Sequence, residues 1–219
     1  TVLPSITGNI TNRPDSVICE GMLFNTLDAT AAGGGNSSYV YQWQQSTDKV
    51  LWTASPNTNT AISYTPDTAT FAVTEQRYYR RVVWSGPDSV CRSNSLPIQI
   101  TRWHYIENNV VSMDTTICSG SVPPVLTATT PTFGSGIYTY IWQDSSKSAS
   151  WTTRSTSISP FAPPALTDTT WYRRIVNSSK CSNVSKKIII RVHKPILNNI
   201  IALKSGSGSD TTICNGAVP

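Results

Sequence analysis

The residues best suited to chemistry are five cysteines: Cys19, Cys91, Cys118, Cys181 and Cys214. A thiolate can ligate a metal, attack an electrophile or form half of a disulfide, and spacing separates these uses. No Cys-x-x-Cys pair occurs, so the close ligand pairs of a zinc site are missing. The spacing fits two disulfides, Cys19 with Cys91 and Cys118 with Cys181, with Cys214 left for a partner beyond the chain. Such a framework belongs outside the cytosol.

Other chemistry finds little support. Glutamate occurs only at Glu20, Glu75 and Glu107, and the two histidines, His104 and His193, fall one residue out of register when the repeats described below are aligned. No Gly-x-Ser-x-Gly, His-Glu-x-x-His or phosphate-loop pattern is present. The nine aspartates stand alone, whereas a calcium site clusters its carboxylates. We expect no catalytic residue, no cofactor and no metal. The net charge of +5 is spread thinly, with no Lys/Arg run longer than two, so nucleic acid is not an expected partner. The longest apolar runs, at Ile188 to Ile190 and Ile200 to Leu203, are far below the roughly 20 residues of a membrane span. The chain opens without Met or a leader, which suggests a processed product or a piece of something longer.

A repeat positions these cysteines. Val17-Ile-Cys19-Glu-Gly21 returns as Thr116-Ile-Cys118-Ser-Gly120 and as Thr212-Ile-Cys214-Asn-Gly216, so the cysteines stand 99 and 96 residues apart. Trp43 matches Trp142, Trp52 matches Trp151, and Tyr78-Tyr79-Arg80-Arg81 answers Trp171-Tyr172-Arg173-Arg174. The expected division is 1–11 as the tail of a preceding repeat, 12–107 and 108–203 as two repeats, and 204–219 as the start of a following one. Ile6/Ile10, Ile106/Val110 and Ile196/Ile200 flank Gly8-Asn9, Asn108-Asn109 and Asn198-Asn199, residues that readily take left-handed turns. We therefore expect Ile106 and Val110, and likewise Ile196 and Ile200, to pack between repeats as a semi-rigid joint. Ser205 to Ser209 would loosen the next one.

Within each repeat the hydrophobic period is two. Tyr39, Tyr41 and Trp43 alternate with Val40 and Gln42, as Tyr138, Tyr140 and Trp142 do with Thr139 and Ile141. A last strand carries Leu96, Ile98 and Ile100, or Ile188, Ile190 and Val192, with Pro97 suited to an edge. Charged residues are only 13%, against about 25% in typical domains, and Ser plus Thr reach 58 positions. With about 95 residues per repeat and a central Trp, the expected fold is all-β: tandem immunoglobulin-like β-sandwiches in an extended array. One departure stands out. Cys91 and Cys181 follow Tyr79 and Tyr172 by 12 and 9 residues, not the two of antibody domains. The bridge should then pin the first strand to the last hairpin. Of the exposed-aromatic candidates for stacking on sugars, the repeated pair Trp52 and Trp151 favours packing. The Arg80-Arg81 and Arg173-Arg174 pairs put one guanidinium on each face of a strand.

The string Ile-Cys-x-Gly, then Tyr-x-Tyr-x-Trp-Gln-x-Ser at Tyr39 to Gln44 and Ser46, a second Trp, Tyr-Arg-Arg and a Cys resembles the tandem Ig-like repeats of very large surface adhesins of Bacteroidota, gliding-motility adhesins among them. The second copy of the Tyr-x-Tyr-x-Trp-Gln-x-Ser string runs from Tyr138 to Ser145. That resemblance implies export by the type IX route, display at the cell surface and a binding tip elsewhere. The chain would be a structural spacer in an adhesin or filament, its partners being neighbouring repeats and other copies in a filament. Alternative readings are a glycan-binding module for surface glycans and an accessory array of a secreted hydrolase. A second, local resemblance is to the O-glycosylation motif of proteins exported in that phylum, Asp-Ser/Thr before a small or apolar residue. It would make Ser16, Thr68, Ser89, Thr115, Thr169 and Thr211 the acceptors. Asp-Thr also simply makes good turns.

Overall fold

The computed structural model describes residues 2–200 except 13, 73, 147–149 and 158–159. It contains two immunoglobulin-like β-sandwiches in tandem. The first unit has strands β1 (Ser16–Cys19), β2 (Tyr39–Ser46), β3 (Thr53–Ala54), β4 (Glu75–Ser85), β5 (Cys91–Asn94) and β6 (Ile98–Trp103). The second repeats them as β7 (Thr115–Cys118), β8 (Thr139–Ser146), β9 (Thr152–Ser155), β10 (Thr170–Ser178), β11 (Cys181–Val184) and β12 (Ile188–His193). The sheet orders are β1-β6-β4-β2-β3 and β7-β12-β10-β8-β9, with β5 and β11 also paired to β4 and β10.

Alternation along these strands sends one set of side chains inward. Trp43 and Trp142 are fully buried, each beneath the aromatic ring that bridges the opposing layer, Tyr64 or Phe161. Sequestering an indole is worth roughly 4 kcal/mol at about 25 cal/mol per Å². The opposing layer is thin, held by single bridges such as Leu27 with Tyr64 and Leu126 with Phe161. Ile98, Ile100 and Ile190 complete the cores. The strand containing Ile98 and Ile100 is not an edge: β6 begins after Pro97 and lies between β1 and β4, and Leu96 is exposed.

Two features decide where the cysteines go. First, β1 pairs with β6 in parallel, so Cys19 comes out beside Trp103 at the unit's downstream end. Second, β4 runs antiparallel to β6, with Glu75 opposite Arg102, and therefore carries its far end, Ser85, upstream. Cys91 sits opposite Ser85. The 11 residues of β4, at about 3.3 Å each, separate Cys19 from Cys91 by roughly 35 Å, whereas a disulfide needs Cα atoms within about 7 Å. The expected Cys19–Cys91 and Cys118–Cys181 bridges are thus corrected: Cys19 bonds Cys181 of the next unit, with Cα atoms 5.1 Å apart, and Cys91 and Cys118 are free.

Residues 7–11, expected as the tail of a preceding repeat, lie along the first unit. Thr7 bridges Gly33 and Thr11 bridges Ala29, as Glu107 bridges Thr132 and Val111 bridges Ala128 in the second. Residues 204–219, with Cys214, Thr211 and the Ser/Gly stretch, lie outside the described residues.

Candidate functional site

Each unit fully buries one arginine. Arg81 and Arg174 are essentially fully buried, in register with Trp43 and Trp142 across the β2–β4 and β8–β10 pairs. Each guanidinium is satisfied by amide groups. Arg81 Nε donates to Asn9 Oδ1 at 3.0 Å and Nη1 to the Ile62 carbonyl at 3.2 Å, and Nη2 reaches the Thr30 carbonyl. Arg174 Nε donates to Asn109 Oδ1 at 2.8 Å and Nη2 to the Thr129 carbonyl at 2.7 Å. Among the described residues neither forms an ion pair with a carboxylate. Burial lowers both pKa values, but an arginine stays charged regardless. Tyr41 and Tyr140 lie against the two planes at 4.9 and 5.3 Å.

The asparagine reciprocates. Asn9 Nδ2 donates to the carbonyls of Arg81 and Ser93, and Asn109 Nδ2 to those of Arg174 and Asn183. Gly8, Asn108 and Asn198 do adopt the left-handed turn, with φ of 70°, 56° and 58°. The next residue then turns inward to the arginine. Sequence reasoning took Asn9 and Asn109 for turn formers; the recurrence of an Asn beside an Arg-Arg strand was the signal for this clamp.

From this anchor the linker passes between units. Ile106 is 1% exposed, packed with Cys19, Cys181, Tyr140 and Val176, and flanked by Trp103 and Tyr138. Gly134 makes its seat: at φ +62°, a Cβ there would meet Ser178 at 2.7 Å and Ile106 Cγ1 at 3.4 Å. The linker backbone is held too, since Gly134 N–H donates to the His104 carbonyl and Asn183 Nδ2 to that of Ile106. On the first unit's side, Glu20 pairs with His104 and, at 3.1 Å, with Arg102. The hydrogen bond from His104 is the main cause holding the Glu20 carboxyl below its ordinary pKa. Slight burial opposes it, and the charges of His104 and Arg102 reinforce it.

Three of the four expected joint residues are exposed, and only Ile106 packs as expected. Ile106 is buried between the units, but Val110 is 58% exposed because it follows the inward-turned Asn109 and so points out. Ile196 and Ile200 are exposed as well, with no described unit to cover them.

The remaining candidates have structural roles. Arg80 and Arg173 stack on Trp52 and Trp151, each at 4.1 Å, and bond Gln44 and Gln143. Asp15 and Asp114, the acidic halves of two glycosylation motifs, accept from the backbone N–H of Gln99 and Ile189. Asp67 caps the 3₁₀ turn Thr68–Thr70. Ser16, Thr68 and Thr115 open elements and Thr169 immediately precedes β10, all four half-buried, while Ser89 is exposed in the β4–β5 turn. Among the described residues no cluster of three His, Cys, Asp or Glu could hold a metal, and no helix is long and apolar enough to cross a membrane.

Residues 7–102 and 107–194 each match the family described as Domain of unknown function (DUF8696). No curated protein matches the chain. Among solved structures, the three N-terminal domains of the bacteriophage RB49 Highly Immunogenic Outer Capsid protein (Hoc) superpose with a TM-score of 0.52 at 12% identity, over 87% of this chain and 71% of that one. Sidekick-1 immunoglobulin domains 1–4 give 0.46 at 8% identity, over 87% of this chain and 49% of theirs. The fibronectin(III)-like modules of Clostridium thermocellum CbhA give 0.39 at 10%, over 90% and 99%. At these identities the likeness concerns the fold alone.

Proposed function

The chain belongs to the DUF8696 family, two domains of it in succession, and from that premise we propose that it is a load-bearing spacer of a large exported cell-surface adhesin or filament. The observation that carries this reading is the disulfide from β1 of one unit to the β10–β11 hairpin of the next, closed over the buried Ile106. A binding module has no need to lock its orientation to a neighbour, whereas a rod under tension does. The bond also supports an oxidising, extracellular setting for the protein. The resemblance to Bacteroidota adhesins extends the proposal to type IX export and a gliding or attachment role, with neighbouring repeats as the working partners. It also suggests O-glycans on the Asp-Ser/Thr motifs, where the exposed Ser89 is the best-presented acceptor.

Single-molecule pulling from the two ends tests the mechanical role. The bond encloses 162 residues of sequence separation, so these are hidden from force while it is intact. Reduction should release roughly 550 Å of additional contour length, at about 3.4 Å per residue. An oxidised chain that releases the same length as the reduced one overturns the proposal.

A further inference from the structure

Cys91 and Cys118 occupy the same positions as the two bonded cysteines. Cys118 lies opposite His193 in the parallel β7–β12 pair, as Cys19 lies opposite Trp103. The following N–H bonds back identically, Ser119 to the His193 carbonyl and Glu20 to that of Trp103. Cys91 lies opposite Ser85, as Cys181 lies opposite Ser178. The hairpin carrying Cys91 is three residues longer, yet the surplus is taken up in the Pro87–Ser89 turn and the register of the cysteine is kept.

The surroundings of the free Cys91 repeat those of the bonded Cys181. Ile6 approaches Gly35 beside Ser85 as Ile106 approaches Gly134 beside Ser178. Tyr39 and Tyr41 lie 6.3 Å apart and Tyr138 and Tyr140 6.4 Å apart, with the Tyr39 and Tyr138 hydroxyls donating to the carbonyls of Gly34 and Phe133. What differs is cover. Ile106 is 1% exposed beneath Trp103 and Cys19, Ile6 is only partly buried, Ile196, its counterpart after β12, is 88% exposed, and Cys118 is exposed too. Over Cys91 an apolar groove lined by Val2, Leu3, Pro87 and Val90 lies open.

We propose that Cys91 and Cys118 are the two open halves of this same joint. Cys91 receives the first-strand cysteine of a preceding unit of this kind, and Cys118 receives the hairpin cysteine of a following one. Every unit of an array would then be bonded to both neighbours and never to itself. The identity of the neighbours rests on the spacer reading; the pairing rule does not. Closure proceeds by thiol–disulfide exchange with a small-molecule disulfide such as oxidised glutathione. The Cys118 thiolate attacks the oxidant and displaces one thiolate. The partner cysteine, as thiolate, then attacks the Cys118 sulfur and displaces the second. The two cysteines together give up two protons and two electrons, and the oxidant becomes two thiols.

The test extends the chain in its own register, joining residues 1–198 directly to residues 9–219, so that Asn198 precedes Asn9 as Asn108 precedes Asn109. Cys91→Ser in the first copy and Cys118→Ser and Cys214→Ser in the second leave one open cysteine of each kind. After refolding in a glutathione buffer, alkylation and peptide mapping should find no free thiol and a Cys118–Cys91 bridge within one chain, beside the two Cys19–Cys181 bridges. Adding Cys118→Ser in the first copy should restore one thiol, at Cys91, and leave the Cys19–Cys181 bridges intact. Alkylated Cys91 and Cys118, a Cys19–Cys91 bridge, or a Cys118–Cys91 bridge found only between chains on a non-reducing gel would each overturn the pairing. Pulling measurements on the two-unit chain would stand in any of those cases, so failure here is distinct from failure of the spacer reading.

Discussion

The upstream ends of the two units are built from the same parts and behave differently. Each has an isoleucine approaching a left-handed glycine, a pair of tyrosines and a hairpin cysteine, yet only the second has its isoleucine and cysteine sealed, both at 1% exposure. The first unit's Trp103 and Cys19 supply the seal. The fold of one unit therefore encodes two half-joints, and burial arises only where complementary halves meet. On the proposed pairing, the exposure of Ile196 and the partial burial of Ile6 mark half-joints that a neighbouring unit would cover.

The bond itself gives the largest contrast. Replacing both partners, Cys19→Ser with Cys181→Ser, should lower the stability of the oxidised chain by up to about 5 kcal/mol, the chain-entropy value for a loop of this length. Cys91→Ser with Cys118→Ser removes two cysteines of identical position and should change it by less than about 0.5 kcal/mol. Urea unfolding of the two variants decides. Equal losses would mean that the two pairs are equivalent and that the cover seen in the second unit adds nothing.

Next in size is the buried arginine, where the units should agree instead of differing. Arg81→Ala and Arg174→Ala each strand an asparagine and several carbonyls, at a cost of about 3 to 5 kcal/mol. The loss should appear in the unit that carries the substitution, because every partner of each guanidinium belongs to one sandwich. Hydrogen exchange resolved by residue tests this: a loss shared equally by both units would make the clamp part of the joint.

The isoleucines sharpen the comparison further. Ile106→Ala should cost about 2 to 4 kcal/mol, as expected for a buried aliphatic side chain. Ile196→Ala, at 88% exposure, should be neutral within about 0.5 kcal/mol. A measurable loss from Ile196→Ala in the two-unit chain would mean that the downstream half-joint is already occupied.

The repeat and the alternation along β2 and β8 made the sandwich, the core tryptophans and the buried Ile106 legible in the sequence. The disulfide partners were not, because the pairing depends on strand direction. A first strand antiparallel to the last would have brought Cys19 to the hairpin end of its own unit, and residue spacing alone does not report that β1 and β6 run in parallel. Val110 failed for a related reason. The apolar pair around Asn108-Asn109 looked symmetric, but the inward turn of Asn109 toward Arg174 reverses the side on which the next residue emerges. Both errors concern direction, which a period of two leaves open.

The smallest expected effect is a pH dependence present at one downstream end and absent from the other. Glu20 pairs with His104 and Arg102 beside the closed joint, while Ser119 and Lys194 hold the places of Glu20 and His104 after β12. The Glu20 carboxyl is held below its ordinary value of 4.5 by the hydrogen bond from His104, with the charges of His104 and Arg102 adding to the effect. A depressed folded pKa means that the unfolded chain takes up this proton first. The contribution is therefore complete above the unfolded value and lost as the pH falls through the lower folded one. Glu20→Gln should be less stable than the parent at pH 7, with the gap closing between about pH 5 and pH 3. Ser119→Gln should show no such closure, since no carboxylate stands there. The unfolding free energies of parent and variants across that range supply the measurement. A gap for Glu20→Gln that persists unchanged to pH 3 would show that Glu20 acts at the joint through packing and not through its charge.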